Sequence, residues 1–229
     1  MSGRRKIAGR GAGAAPQPEG EFAHILHFST LEEAEETLRH LDTLLRESRA
    51  AGDGRRAAHV LEIAPGPGYL AIELAKLSGC RMQGLDISRS FVRIATDNAR
   101  KAGVHADFEQ GDAADLPFPA DQFDFIVCRA AFKNFARPLQ ALDEMQRVLK
   151  GGGVALVIDL RKDFSAQALN DYVRGRGAIS AAIIKLIFHT MLKKRAYTKD
   201  GIASLVAQSQ FRQGDIRLEP IGFELWLHK

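Results

Sequence analysis

Cysteine is scarce in this chain: there are two in 229 residues, and neither belongs to a CxxC pair or a Cys/His cluster. That spacing excludes a zinc module and a dithiol redox motif. Cys80 and Cys128 each lie within or beside an apolar run, so both are expected to be buried thiols rather than partners in a disulfide. No convincing set of metal ligands is present, and no metal is expected. There is no apolar run of about 18 residues, which argues against a membrane-crossing helix. A secretory leader pattern is also missing, so a soluble, cytoplasmic protein is expected.

Two nucleotide signatures are absent as well. The one Gly-rich turn between an apolar run and a helical pattern, Ala64-Pro65-Gly66-Pro67-Gly68, has no lysine where a phosphate loop needs one. The third glycine of a dinucleotide fingerprint is missing too. A nucleoside triphosphate is thereby set aside, and a nicotinamide oxidoreductase is disfavoured.

The chain does have enough apolar material for one full core, at 45% hydrophobic residues. Its formal charge of +4 is unevenly placed, with Arg4, Arg5, Lys6 and Arg10 near the start. Residues 1–20 read as a disordered basic tail, rich in Gly, Ala and Arg. Such a tail suits a transit or nucleic-acid role, but a plain solvated tail explains it equally and more simply.

His59 to Ala75 is the organising stretch. Val60, Leu61 and Ile63 suit a buried strand, and Leu70, Ala71, Leu74 and Ala75 suit one face of a helix. The turn between them opens a helix, where backbone N–H groups point outward and a chain poor in Cβ atoms admits close approach. Glu62 places a carboxylate inside the strand's end. It repels a pyrophosphate and attracts a cation.

Strand and helix patterns alternate from there. Met82 to Ile87 is a strand whose end carries Asp86, 24 residues after Glu62, where an acidic side chain meets vicinal ribose hydroxyls. Ser88 caps the next helix and Gly103 ends it. Val104 to Glu109 is a third strand, running into Asp112, which can accept a hydrogen bond from an adenine amino group. Phe123 to Cys128 is a fourth strand. A helix through Leu139, Leu142, Met145 and Val148 follows, stopped by Gly151-Gly152-Gly153. Val154 to Leu160 is a fifth strand with Asp159 at its end. The class is α/β with a mainly parallel sheet, and the acidic groups all fall at carboxyl ends of strands, where open α/β sheets bind ligands. The implied ligand is an adenosine with a cationic, amino-bearing extension.

The segments VLEIAPGPG, GLDIS, GDAADLPFPADQFDFIV and LDEMQRVLKGGG, in that order from Val60 to Asp159, resemble the class I S-adenosylmethionine-dependent methyltransferases of the small-molecule type. Within them the chain is similar to the group that includes the ubiquinone and menaquinone C-methylases. The resemblance implies a Rossmann-like seven-stranded sheet of order 3-2-1-4-5-7-6, with S-adenosyl-L-methionine as cofactor. It implies Glu62 for the methionyl amino group, Ala64, Gly66 and Gly68 for the methionyl part, and Asp86 for the ribose. Ile87, Asp112 and Ala113 would serve the adenine, and Arg129 and Ala130 would line the cofactor with backbone atoms. Two departures stand out. Ala64 occupies a position where the family commonly has glycine, and Phe132-Lys133-Asn134-Phe135 stands where the family often has histidines.

The implied reaction is direct in-line methyl transfer to a small acceptor, apolar or anionic. A sulfonium methyl is already electrophilic, so this chemistry requires no metal. A base is needed only if the acceptor loses a proton, and His27, Lys133, Tyr172 and His189 are weak candidates, each equally at home in a structural role. Three alternatives are carried. They are a nucleic-acid methyltransferase, for which no Asn/Asp-Pro-Pro-Tyr/Phe motif or paired-cysteine mechanism is seen, an NAD-dependent oxidoreductase, and a non-catalytic S-adenosylmethionine-binding protein.

Outside the resemblance, residues 21–54 read as an N-terminal helical cover, with Leu31, Ala34, Leu38, Leu41 and Leu45 at helical spacing. Residues 55–229 read as the methyltransferase domain, with 161–197 a helical insertion after the fifth strand. Within the insertion, Ala178 to Leu192 is apolar at helical spacing and ends in Lys193-Lys194-Arg195. It is open to three roles: a lid over the site, core or dimer surface, or a membrane contact. Thr198 caps a further helix, and Phe211 to Glu219 and Gly222 to His228 read as closing strands joined at Pro220. Monomer and homodimer are both compatible with the sequence.

Overall fold

The computed structural model describes residues 57–76, 80–175 and 177–229, and of 191–193 the backbone alone. The tail at 1–20, the cover at 21–54 and His27 lie outside the described residues. In chain order the elements are β1 (Ala58–Ile63), α1 (Tyr69–Lys76), β2 (Cys80–Asp86), α2 (Arg89–Ala102), β3 (Ala106–Gln110) and β4 (Phe123–Arg129), then α3 (Pro138–Val148), β5 (Leu149–Leu160), α4 (Ala166–Tyr172), α5 (Ala178–Ile187), α6 (Lys199–Gln208), β6 (Asp215–Leu218) and β7 (Gly222–His228).

The seven strands form one sheet in the order β3-β2-β1-β4-β5-β7-β6, as expected. β3 to β5 run parallel, and β7 pairs antiparallel with both β5 and β6. Alternation within each strand builds two cores. Leu61, Ile63, Ile126 and Cys128 face α3 and α6 through Leu142, Met145 and Ile202. Val60, Phe125, Val127 and Trp226 face the opposite side, against Leu70, Ala71 and Leu74 of α1. A third, smaller cluster of Phe164, Leu169, Val173, Ile184 and Phe188 belongs to the insertion after β5.

The caps read from sequence are in place. Ser88 accepts the Phe91 N–H, Gly103 closes α2 with φ 68°, and Thr198 accepts the Gly201 N–H at 3.1 Å. Several boundaries differ. Gly151-Gly152-Gly153 does not end a helix in a turn; it belongs to β5, because the backbone of Lys229 pairs across it. The register with β4 shifts there, and Gly152 takes φ 80°. β6 is shorter than the apolar pattern implied, because Phe211 turns into the core before the strand begins. The insertion's apolar helix is also not uniform. After Ile187 it widens into a π-turn over Phe188–Leu192 and resumes at Lys193–Arg195. Cys128 is buried, whereas Cys80 is half-buried, and neither forms a disulfide. No helix among the described residues is long and apolar enough to cross a membrane.

Candidate functional site

The turn after β1 has a repeating backbone form: Ala64, Gly66 and Gly68 take φ values of 58°, 54° and 80°. Left-handed residues at alternate positions turn the chain tightly, and Pro65 and Pro67 between them carry no N–H. The turn is held by Ala64 N–H donating to the Leu85 carbonyl at 2.8 Å and Gly68 N–H to the Pro65 carbonyl at 2.9 Å. A side chain at Gly68 would be doubly disfavoured, because its Cβ would lie 2.9 Å from the Ala95 Cβ on α2. Asn98 on the same helix donates to the Pro67 carbonyl at 3.0 Å, tying α2 to the turn.

Asp86, at the end of β2, joins two parts of the site. One carboxylate oxygen accepts the Gly66 N–H at 3.0 Å and the other accepts the Ser88 N–H at 2.8 Å. Burial pushes its pKa up, and those two hydrogen bonds oppose the shift. Each oxygen retains a lone pair, so the carboxylate can still accept from a ligand hydroxyl. Beside it, Ile87 is 46% exposed, an apolar surface next to a polar edge.

Glu62 shares the α1 side of β1 with Val60 and takes a hydrogen bond from the Ala71 N–H. Burial raises its pKa to about 8 against the hydrogen bond and the nearby Arg129 charge. Its Oε2 is buried with no hydrogen-bond partner among the described residues. An orphaned carboxylate oxygen in this position calls for a donor, and a cationic donor most of all.

Asp112 lies beyond β3. Burial pushes its carboxyl up, but the Ala114 N–H at 2.9 Å and the Arg137 guanidinium at 2.9 Å outweigh this and hold it below its usual range. Its carboxylate is therefore already shared with Arg137, a partner that sequence spacing did not indicate. Ala113 is buried next to it. Arg129 and Ala130 close β4, where Ala130 takes φ 57° and donates its N–H to the Ile158 carbonyl at 2.7 Å.

The base candidates fall in different settings. Lys133 is buried, and its ammonium donates to Asp159 at 2.8 Å and to the Ala130 carbonyl at 2.5 Å. A nitrogen committed in both directions is held in place as a donor. Tyr172 packs its ring on Phe188 in the insertion's own cluster, and His189 is exposed. Sequence reasoning missed Tyr197, whose pKa is raised by burial and by Asp159 and whose ring lies 5.8 Å from that of Phe132. Only its place just before the Thr198 cap could have drawn attention to it. No group of three or more His, Cys, Asp and Glu side chains suited to a metal ion occurs among the described residues.

The insertion starts and ends beside this site. Arg161 bridges to Tyr197, and the Lys162 N–H donates to the Tyr197 carbonyl at 2.7 Å, closing the two ends of the insertion at the carboxyl end of β5. Arg195 Nη1 then reaches Asn134 Oδ1, 3.2 Å away, on the turn that follows β4.

Residues 60–153 match the family model described as a methyltransferase domain. The chain is 37% identical over 110 residues to a 2-phytyl-1,4-naphtoquinone methyltransferase of Synechococcus elongatus, an alignment that covers 46% of this chain and 47% of that protein. It is 38% identical over 110 residues to a ubiquinone/menaquinone biosynthesis C-methyltransferase of Rhizobium meliloti, covering 46% of this chain and 43% of the relative. The chain thus spans about half the length of the relatives it matches. Among solved structures, a SAM dependent methyltransferase from Aquifex aeolicus superposes with a TM-score of 0.59 at 18% identity, over 80% of this chain and 87% of the other. At that identity the likeness concerns the fold.

Proposed function

We propose, from the premise that residues 60–153 are a methyltransferase domain set in a class I methyltransferase fold, that this protein transfers a methyl group from S-adenosylmethionine to a small lipophilic acceptor of the quinol type. The observation that carries the cofactor is Glu62. Its buried oxygen has no partner among the described residues, and the ammonium of a methionyl group supplies the missing cationic donor.

The other residues fit the same ligand. The methionyl part lies against the turn from Ala64 to Gly68, where Gly66 and Gly68 have no Cβ to block a close approach. Asp86 accepts from the ribose hydroxyls while its bonds to Gly66 and Ser88 keep it oriented. Ile87 offers its exposed apolar surface to the adenine, with Ala113 and the Asp112 backbone at the ring's edge. Arg129 and Ala130 line the opposite side with backbone atoms. When bound, the cofactor supplies an electrophilic methyl on its sulfonium.

This chain's residues have two remaining tasks, to align the acceptor with that methyl and to exclude water. The insertion at 161–197 serves as the lid, because its two ends meet at the carboxyl end of β5 and Arg195 ties it to the turn after β4. Lys133 acts as a positioning residue, holding the Ala130 carbonyl in place. The acceptor class rests on the quinones in the two relatives' names, taken in the reduced form because only the electron-rich hydroquinone can attack an electrophilic methyl, and the setting is the cytoplasm.

The experiment is incubation of the purified chain with S-adenosylmethionine and a panel of hydroquinones, read by mass spectrometry. A product heavier by one methylene unit supports the reading. Cofactor binding with no methylated product from any hydroquinone would remove the acceptor class.

A further inference from the structure

Helix α5 is apolar on two opposite sides. Ile184 is buried, and it points with Phe188 into the insertion's cluster of Phe164, Leu169 and Val173. Ile179, Ile183 and Leu186, at i, i+4 and i+7, form a stripe on the other side, exposed by 79%, 51% and 63%. One packed face accounts for a helix of this kind; a second, outward face of three large aliphatic side chains does not follow from folding.

The segment that carries the stripe is strongly basic. The 28 residues from 172 to 199 hold seven Lys or Arg and no Asp or Glu, with Asp171 and Asp200 flanking them and Asp171 paired with Arg174. Lys194 and Arg195 are exposed just beyond the π-turn, at the C-terminal end of the stripe. A two-fold contact between copies through this face would bring both cationic segments together, and like charges oppose it. A surface that is apolar at its centre and negatively charged around it matches both features.

We infer that the outward face of α5 seats in the surface of an anionic lipid bilayer, with Ile179, Ile183 and Leu186 among the acyl chains and Lys194 and Arg195 at the headgroups. This rests on the proposed function in one respect: it brings the insertion beside the site to the phase in which a lipophilic acceptor dissolves. The bilayer contact itself requires no turnover.

Vesicle flotation of the full chain tests it. The probes are neutral phosphatidylcholine vesicles and vesicles in which part of the phosphatidylcholine is replaced by phosphatidylglycerol. Wild type should float with the anionic vesicles and much less with the neutral ones, and added salt should weaken it. The variant Ile179→Ser/Ile183→Ser/Leu186→Ser should bind the anionic vesicles at least roughly tenfold more weakly, because three aliphatic side chains are lost from the bilayer. A second variant with Arg4, Arg5, Lys6 and Arg10 changed to Ser should float nearly as wild type, separating the helix from the basic tail. Circular dichroism melts and calorimetric S-adenosylmethionine affinity, both unchanged in the stripe variant, would show that the fold and site are intact and would separate failure here from failure of the cofactor assignment. The inference is overturned if wild type ignores anionic vesicles, as it would were residues 21–54 covering the stripe. It is equally overturned if the stripe variant floats like wild type, or if wild type is a dimer that the stripe variant converts to monomer.

Discussion

The Lys133 ammonium lies 2.8 Å from Asp159 Oδ1, with both side chains almost wholly buried at 4% and 0% exposure, and the other Asp159 oxygen accepts the Lys133 N–H. Side chain and backbone of one residue thus close on one carboxylate, from the turn after β4 to the end of β5. The same ammonium takes the Ala130 carbonyl, so the pair fixes the backbone that the proposed cofactor site uses. Removing one partner leaves a buried charge unmatched. Lys133→Met is expected to lose about 3–5 kcal/mol of stability in urea unfolding. In a double-mutant cycle with Asp159→Asn, the coupling should be about 1–3 kcal/mol. Additive effects would show that the two side chains do not act together.

Glu62 sets a pH dependence. Its ordinary pKa is near 4.5 and the folded value is about 8, so between those values the folded protein binds a proton that the unfolded chain has released. The contribution to stability is full below about 4.5 and is lost as pH rises through 8. Glu62→Gln removes it. The stability difference between wild type and variant, measured by thermal melts without cofactor, should therefore shift in the variant's favour as pH rises across that window. A difference that is constant with pH contradicts the buried, protonatable carboxyl.

Ala64 carries a φ of 58°, a conformation that costs an L-residue about 1–2 kcal/mol and glycine almost nothing. Glycine's extra freedom in the unfolded chain returns about 0.5–1 kcal/mol of that. Ala64→Gly should thus stabilise the protein by about 0.5–1 kcal/mol. Gly68→Ala should act in the opposite direction and weaken cofactor binding, since it adds both strain and a contact at 2.9 Å with α2. Denaturation midpoints of the two variants moving the same way would count against the turn geometry.

Those residues also show what the sequence can and cannot express. The alternation of strand and helix, the caps at Ser88 and Thr198, and the sheet order through the family resemblance were readable because each rests on local spacing or a contiguous motif. Asp86 and Glu62 were readable as acids at strand ends, but not the orphaned oxygen of Glu62, which depends on what packs around it. Lys133 and Asp159 are 26 residues apart, and Asp112 and Arg137 are 25 apart, so only the folded sheet brings either pair together. The glycine triplet at 151–153 misled because Gly signals a turn in isolation. Its place in β5 is set by Lys229 at the far end of the chain. The split of the apolar helix at Phe188 has no marker in composition, since a π-turn uses the same residues as the helix it interrupts.

Isothermal titration of the full chain with S-adenosylmethionine, beside Glu62→Gln and Asp86→Asn, decides whether these two carboxylates hold the cofactor. Wild type should show one site and a proton release on binding below about pH 8 that is absent in Glu62→Gln. Each variant should weaken binding by about 1.5–3 kcal/mol through loss of a charge-assisted hydrogen bond. No heat of binding in wild type, or affinity unchanged in both variants, would contradict that role.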